Sequence, residues 1–133
     1  MKIFVDTNIL FDVLLQRDEA NNSTVVLNAI KEGLYSGVVL DITLLNIDYV
    51  AKKQSVNVKD FLRLIHQSFS IVGADNKRIE EALGLEHGDF EDAVQYVCAK
   101  YAKCEWIVTN DKDFYQGAIR CVSAREFIEI FSI

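Results

Sequence analysis

Proline is absent from all 133 residues, and glycine, serine and charge nowhere accumulate into a biased run. Linkers and disordered tails are built from such runs, so none is expected. Long hydrophobic stretches are missing as well. The opening Met1-Lys2-Ile3-Phe4-Val5-Asp6 is too short an apolar run for a secretory signal, and no later segment approaches the roughly 20 residues of a membrane span. The reading is a cytoplasmic chain without membrane attachment. No period of repeat length is visible, which sets aside solenoids. Cysteine is scarce: Cys98, Cys104 and Cys121 lack metal-ligand spacing and read as reduced, structural residues. Histidine is scarcer, and His66 and His87, with no partner at ligand spacing, read as structural or surface residues.

A basic surplus is lacking too. Fourteen Lys and Arg face twenty Asp and Glu, a formal net charge of −6, which argues against holding nucleic acid by bulk electrostatics. Carboxylates gathered around a cation weaken that objection, because the bound ion then dominates the local field. What is abundant is apolar sequence: half the chain is hydrophobic, enough for one core and one domain spanning residues 1–133.

The apolar residues alternate between short runs and helical stripes. Ile3-Phe4-Val5 reads as a strand, followed by a helix over Ile9–Leu15. Asn22 or Ser23 caps a second helix carrying Val26, Leu27, Ile30 and Leu34, with Gly37 as its stop. Strands are expected at Val38–Ile42, Ser70–Ala74, Glu105–Thr109 and Ile119–Val122. Between them fall helices at Thr43–Lys53, Val58–Phe69, Asp75 to about Leu83, and Asp89–Lys103; a capping box, Ser123-Ala124-Arg125-Glu126, opens the last, Phe127–Phe131. Strands separated by helices imply a mostly parallel sheet covered on both faces, an α/β fold.

In such sheets ligands bind beyond the carboxyl ends of the strands, and acids stand there. Asp6 follows the first strand, Asp111 and Asp113 follow the strand ending at Thr109, and Asp89 and Asp92 share a face in the first turn of their helix. Taken singly, each is an ordinary cap, dipole or turn residue. Their coincidence on one predicted edge favours a shared site. Like charges a few ångströms apart repel unless a cation is shared, and oxygen donors without His or Cys suit a hard ion, Mg²⁺ or Mn²⁺. Such an ion activates water and polarises a phosphodiester, so hydrolysis follows without a dedicated protein base. Lys112, between two of these acids, is the basic residue best placed to touch a phosphate chain.

Val5-Asp6-Thr7-Asn8-Ile9-Leu10, Asp89-Phe90-Glu91-Asp92-Ala93 and Val108-Thr109-Asn110-Asp111-Lys112-Asp113-Phe114 together resemble the PIN domain, in an order and separation that span nearly the whole chain. The resemblance implies a Rossmann-like three-layer fold and Mg²⁺- or Mn²⁺-dependent cleavage of single-stranded RNA. It further suggests the toxin half of a bacterial toxin–antitoxin pair, often dimeric. By position it assigns Asp6, Asp92 and Asp111 or Asp113 as metal-binding acids, with Asp89 beside them and Thr7, Asn8 and Thr109 as supporting polar groups toward substrate. One position departs from the pattern. The family usually places a Glu in the helix after the second strand, where this chain has Asn46, a neutral oxygen donor; Asp48, two residues on, faces another side of that helix. A non-catalytic PIN-like module that binds RNA or protein is therefore the alternative. An aspartyl phosphatase or phospho-receiver fits less well, since Asn8 stands where the phosphatase pattern wants a second Asp.

Overall fold

The computed structural model describes residues 1–54 and 57–133. Its elements alternate from the start: β1 (Lys2–Val5), α1 (Thr7–Leu14), α2 (Ala20–Lys31), β2 (Ser36–Leu40), α3 (Asp41–Lys53), α4 (Lys59–Ser68), β3 (Phe69–Val72) and α5 (Asn76–Leu83). Then come α6 (Phe90–Tyr101), β4 (Trp106–Val108), β5 (Arg120–Val122) and α7 (Ala124–Phe131). The five strands form one sheet in the order β3-β2-β1-β4-β5, and every pairing is parallel. The expected α/β class is thus what the chain adopts, with helices on both faces. No helix among the described residues is long and apolar enough to cross a membrane.

Period-two alternation divides the strand residues between two cores. Ile3, Val5, Val39, Val108 and Val122 pack against Leu10, Val26, Leu27, Ile30, Ala124 and Phe127. Phe4, Val38, Leu40 and Ile107 point the opposite way, onto Ala82 of α5 and Ala93, Val97 and Ala99 of α6. Buried on both faces, these strands carry near-continuous apolar runs, as parallel strands must. Helix α6 is buried without a break from Asp92 to Ala99, which explains why its apolar stripe is so broad in the sequence.

Local signals fixed some boundaries well. Asp75 caps α5 by accepting from the Arg78 amide at 3.0 Å, and the capping box at Ser123 and Glu126 closes reciprocally at 3.0 Å in both directions. Others moved. Helix α2 begins at Ala20, so Ser23 is a buried interior residue rather than a cap. It ends at Lys31, where Gly33 at φ +82° turns the chain; Leu34 lies beyond the helix and is exposed. Gly37 is no helix stop. It sits within β2, where a Cβ would come within 2.7 Å of Ile30 and of Phe69, so its lack of a side chain lets α2 and β3 close on the strand. The second strand ends at Leu40, because Asp41 and Ile42 already belong to α3.

Gly37→Ala should therefore overpack this junction and destabilise the fold by about 1–3 kcal/mol, read as a lower midpoint in urea unfolding. An unchanged midpoint would mean that α2 and β3 can shift apart freely.

Candidate active site

The strand order reverses between β1 and β4: from β1 the chain builds outward to β2 and β3, whereas β4 and β5 lie on the other side. Crevices form at such reversals, and ligand sites of open α/β sheets lie in them. The Asp6 amide, at the end of β1, donates to the Val108 carbonyl at the end of β4 at 3.0 Å. The two strand ends that carry the acidic motifs are thereby tied together.

Asp6 precedes α1, yet its side chain makes no capping hydrogen bond there. Its carboxylate is buried, with one oxygen accepting from Gln95 Nε2 at 2.8 Å and the other from Thr109 Oγ1 at 2.6 Å. Gln95 Oε1 in turn accepts from the Thr7 amide at 3.2 Å and the Thr7 hydroxyl at 3.4 Å, while Thr7 Oγ1 lies 2.8 Å from Thr43 Oγ1. Gln95 of α6 and Thr109 of the turn after β4 thus hold the carboxylate directly, and α1 and α3 back Gln95 through Thr7 and Thr43. Burial raises its pKa above the ordinary carboxylate value; the Thr109 and Gln95 hydrogen bonds pull it back, and the charge of Glu91 raises it further.

Asp92 is the second buried acid of this site. Asp89 caps α6 by accepting the Asp92 amide at 3.1 Å, which orients the first turn so that Asp92 and Gln95, three residues apart, share a face. Burial pushes the Asp92 carboxyl up to about 6, an effect opposed by His87 and reinforced by the charges of Asp6, Asp89 and Asp111. His87 Nε2 stands 3.4 Å from the Asp92 carboxylate, and its ring meets Tyr115 edge-on at 5.6 Å between centroids. His87, expected to be a structural or surface residue, is brought to the site by the Glu86-His87-Gly88 turn just before the cap.

Asp111 is half-buried. Its amide donates to Thr109 Oγ1 at 3.1 Å, and its carboxylate accepts the Asp113 amide at 2.9 Å. Asp113 and Lys112 are exposed, while Phe114 between this turn and α6 is buried and anchors it. Lys112 and Asp111 line a cleft of about 470 Å³ with Gln116, Cys121, Ser123 and Arg125. The three thiols stay protonated at neutral pH, each pushed up to about 11 by burial. Asn8 Oδ1 accepts the Asn110 amide at 3.5 Å, so it braces the turn after β4. Asn46 is half-buried and lines a separate, mostly apolar cavity of about 360 Å³ shared with Leu40, Phe90 and Glu91. Asp48 turns away and pairs with Lys52 at 2.9 Å.

Asp6, Asp92 and Asp111 are thus brought together, Asp89 caps, and Thr7 and Thr109 are buried supports of Asp6. Gln95 and Thr43 escaped the sequence reading. Gln95 was findable, one turn after Asp92 on the same face; Thr43 required the tertiary structure. Among the described residues no three His, Cys, Asp or Glu side chains come close enough together to hold an ion between them. The donor set suits a hard cation held by one or two carboxylates and otherwise hydrated, and Asp6 and Asp92 are the residues that could hold it.

The family model described as PIN domain matches residues 2–113. Ribonuclease VapC1 of Aquifex aeolicus is 30% identical over 139 residues, covering 96% of this chain and 94% of that protein. Among solved structures, a toxin-antitoxin complex from Klebsiella pneumoniae is similar over 92% of this chain and 97% of its own, with a TM-score of 0.71 and 22% identity. VapBC2 from Rickettsia felis, bound to a DNA fragment from their promoter, aligns over 92% of this chain and 98% of its own, with a TM-score of 0.64 and 15% identity. These structural likenesses show the same fold.

Because the folded-state pKa of Asp92 lies above its ordinary value, its contribution to stability is fully present below about pH 4 and is lost as pH rises through about 6. Asp92→Asn should therefore raise the melting temperature at pH 7.5 by roughly 3–6 °C, a gain that shrinks toward pH 4. Thermal unfolding monitored by circular dichroism at both pH values checks this; a loss of stability at pH 7.5 would contradict it.

Proposed function

The chain belongs to the PIN domain family, and from that premise we propose that it is a divalent-cation-dependent endoribonuclease acting on single-stranded RNA. The observation that carries the reading is the pair of buried carboxylates, Asp6 and Asp92, set at the sheet's reversal point with Asp111 beside them. Two such acids are costly to keep charged together, and a helix cap or turn needs neither of them buried. The naming of a relative that is 30% identical as a ribonuclease supports the same chemistry.

Asp6 and Asp92 would hold Mg²⁺ or Mn²⁺, with Asp111 adjoining. When bound, the ion supplies activation of water and neutralisation of charge at the scissile phosphate. The protein's own part is positioning. Gln95 and Thr109 fix both oxygens of Asp6, and the Asp89 cap fixes the turn that carries Asp92. Lys112 and Arg125, on the wall of the 470 Å³ cleft, are placed to meet phosphates of the chain beside the acids. An antitoxin protein is the proposed partner, on the strength of the toxin-antitoxin complexes whose fold this chain shares. Asn46, neutral and facing a separate cavity, favours the second reading, a PIN module that binds without turnover.

Incubating a mixed-sequence single-stranded RNA with the protein separates the two. Cleavage is expected with Mn²⁺ or Mg²⁺, none with EDTA, and a loss of roughly a hundredfold or more in Asp6→Asn. RNA left intact despite Mn²⁺ binding would establish the non-catalytic reading.

A further inference from the structure

The two buried acids of the site are held unequally. Both oxygens of Asp6 accept from side chains, Gln95 at 2.8 Å and Thr109 at 2.6 Å. Asp92 has a single side-chain partner among the described residues, His87, whose Nε2 stands 3.4 Å from Oδ2 of the carboxylate. Resting on the metal-dependent reading above, we propose that His87 is a positioning residue of the site. It donates from Nε2 to one oxygen of Asp92, fixes the rotamer of that carboxylate and leaves the other oxygen to the cation, without itself touching the ion.

A side chain can orient another only if it is itself held, and His87 is held at both ends. Its backbone amide donates to the Leu85 carbonyl at 3.0 Å, in the turn between α5 and the Asp89 cap. Its ring meets Tyr115 edge-on, and Tyr115 packs on Tyr96 at 4.7 Å between centroids. Tyr96 is buried on α6, with its hydroxyl accepting the Ala118 amide at 2.9 Å. The His87 side chain is only 18% exposed. An ionised carboxylate accepts and never donates, so the imidazole nitrogen is the donor of the pair. The contact is longer than those at Asp6, as site hydrogen bonds commonly are before a ligand tightens them. Ring packing against Tyr115 is the competing explanation, and it differs in what it requires of residue 87: a ring, where positioning requires a donor nitrogen.

Two variants of the full chain separate them. His87→Phe keeps a ring against Tyr115 and loses the donor; His87→Gln loses the ring and keeps an amide donor. In the metal-free protein at pH 7.5, three-bond scalar couplings from Asp92 Cγ to its own amide nitrogen and carbonyl carbon report whether the side chain holds one rotamer. One rotamer is expected in wild type and in His87→Gln, and averaging in His87→Phe. Mn²⁺ titration, with free ion counted by electron paramagnetic resonance, should show binding weakened about tenfold in His87→Phe and nearly wild-type in His87→Gln. That rescue is an outcome which loss of ring packing or general misfolding cannot produce. Both readouts unmoved in His87→Phe, or the two variants impaired alike, or only His87→Gln impaired, overturns the proposal while the Asp6–Asp92 reading stands. Mn²⁺ binding equal in wild type and Asp92→Asn overturns both.

Discussion

The rest of the site depends on one buried carboxylate. Asp6 directly follows the central strand, its amide tied to the Val108 carbonyl of β4, and water has little access to its side chain. A charge there is costly unless its oxygens are satisfied, and Gln95 and Thr109 satisfy both. That requirement propagates outward. Gln95 must present its amide nitrogen to Asp6, so its oxygen is free for Thr7, whose hydroxyl is then set against Thr43 on α3. Thr109 donates to Asp6 and accepts from Asp111, which couples the turn after β4 to the acid it must accompany. The hydrogen bonds hold the site's geometry, while the charges of Asp6 and Asp92 still repel each other across it.

A second polar network sits on the opposite side of that turn. Asn110 Nδ2 donates to Asp12 at 2.7 Å and to Ser23 at 3.3 Å, and its oxygen accepts the Ala124 amide at 3.1 Å. One side chain thus joins α1, α2 and the start of α7 to the end of β4. Buried polar groups joined in this way fix a single arrangement of the helices they connect. Tyr96 does the same below the cleft: its hydroxyl accepts the Ala118 amide at 2.9 Å, and a Cβ at Gly117 would collide with its ring. The segment that carries Asp111 and Lys112 is therefore braced from three directions, although it has little regular structure of its own.

Much of the fold was legible because its signals are local. Apolar runs of strand length, the Asp75 cap and the Ser123–Glu126 box each act within a few residues, and the structure keeps them. The expectations that shifted depended on distant partners. Ser23 and Gly37 look like helix punctuation in sequence, but Ser23 is buried to meet Asn110 and Gly37 is demanded by Ile30 and Phe69. For the site, the three acidic motifs were legible as strand-end chemistry. The groups that hold them were not, since an amide such as Gln95 or a hydroxyl such as Thr43 carries no motif and gains its role only from what it faces. His87 was passed over for the same reason, having no second ligand nearby in sequence.

The net charge of −6 also takes on a local meaning. Asp6, Asp89, Asp92 and Asp111 concentrate negative charge at one sheet edge, where a polyanion would meet repulsion that a bound cation would relieve. The most direct test of this account is anomalous diffraction from crystals soaked in Mn²⁺. The account requires an anomalous peak within coordinating reach of both Asp6 and Asp92 at the end of β1; a peak elsewhere, or none in this crevice at a concentration that supports cleavage, would contradict it.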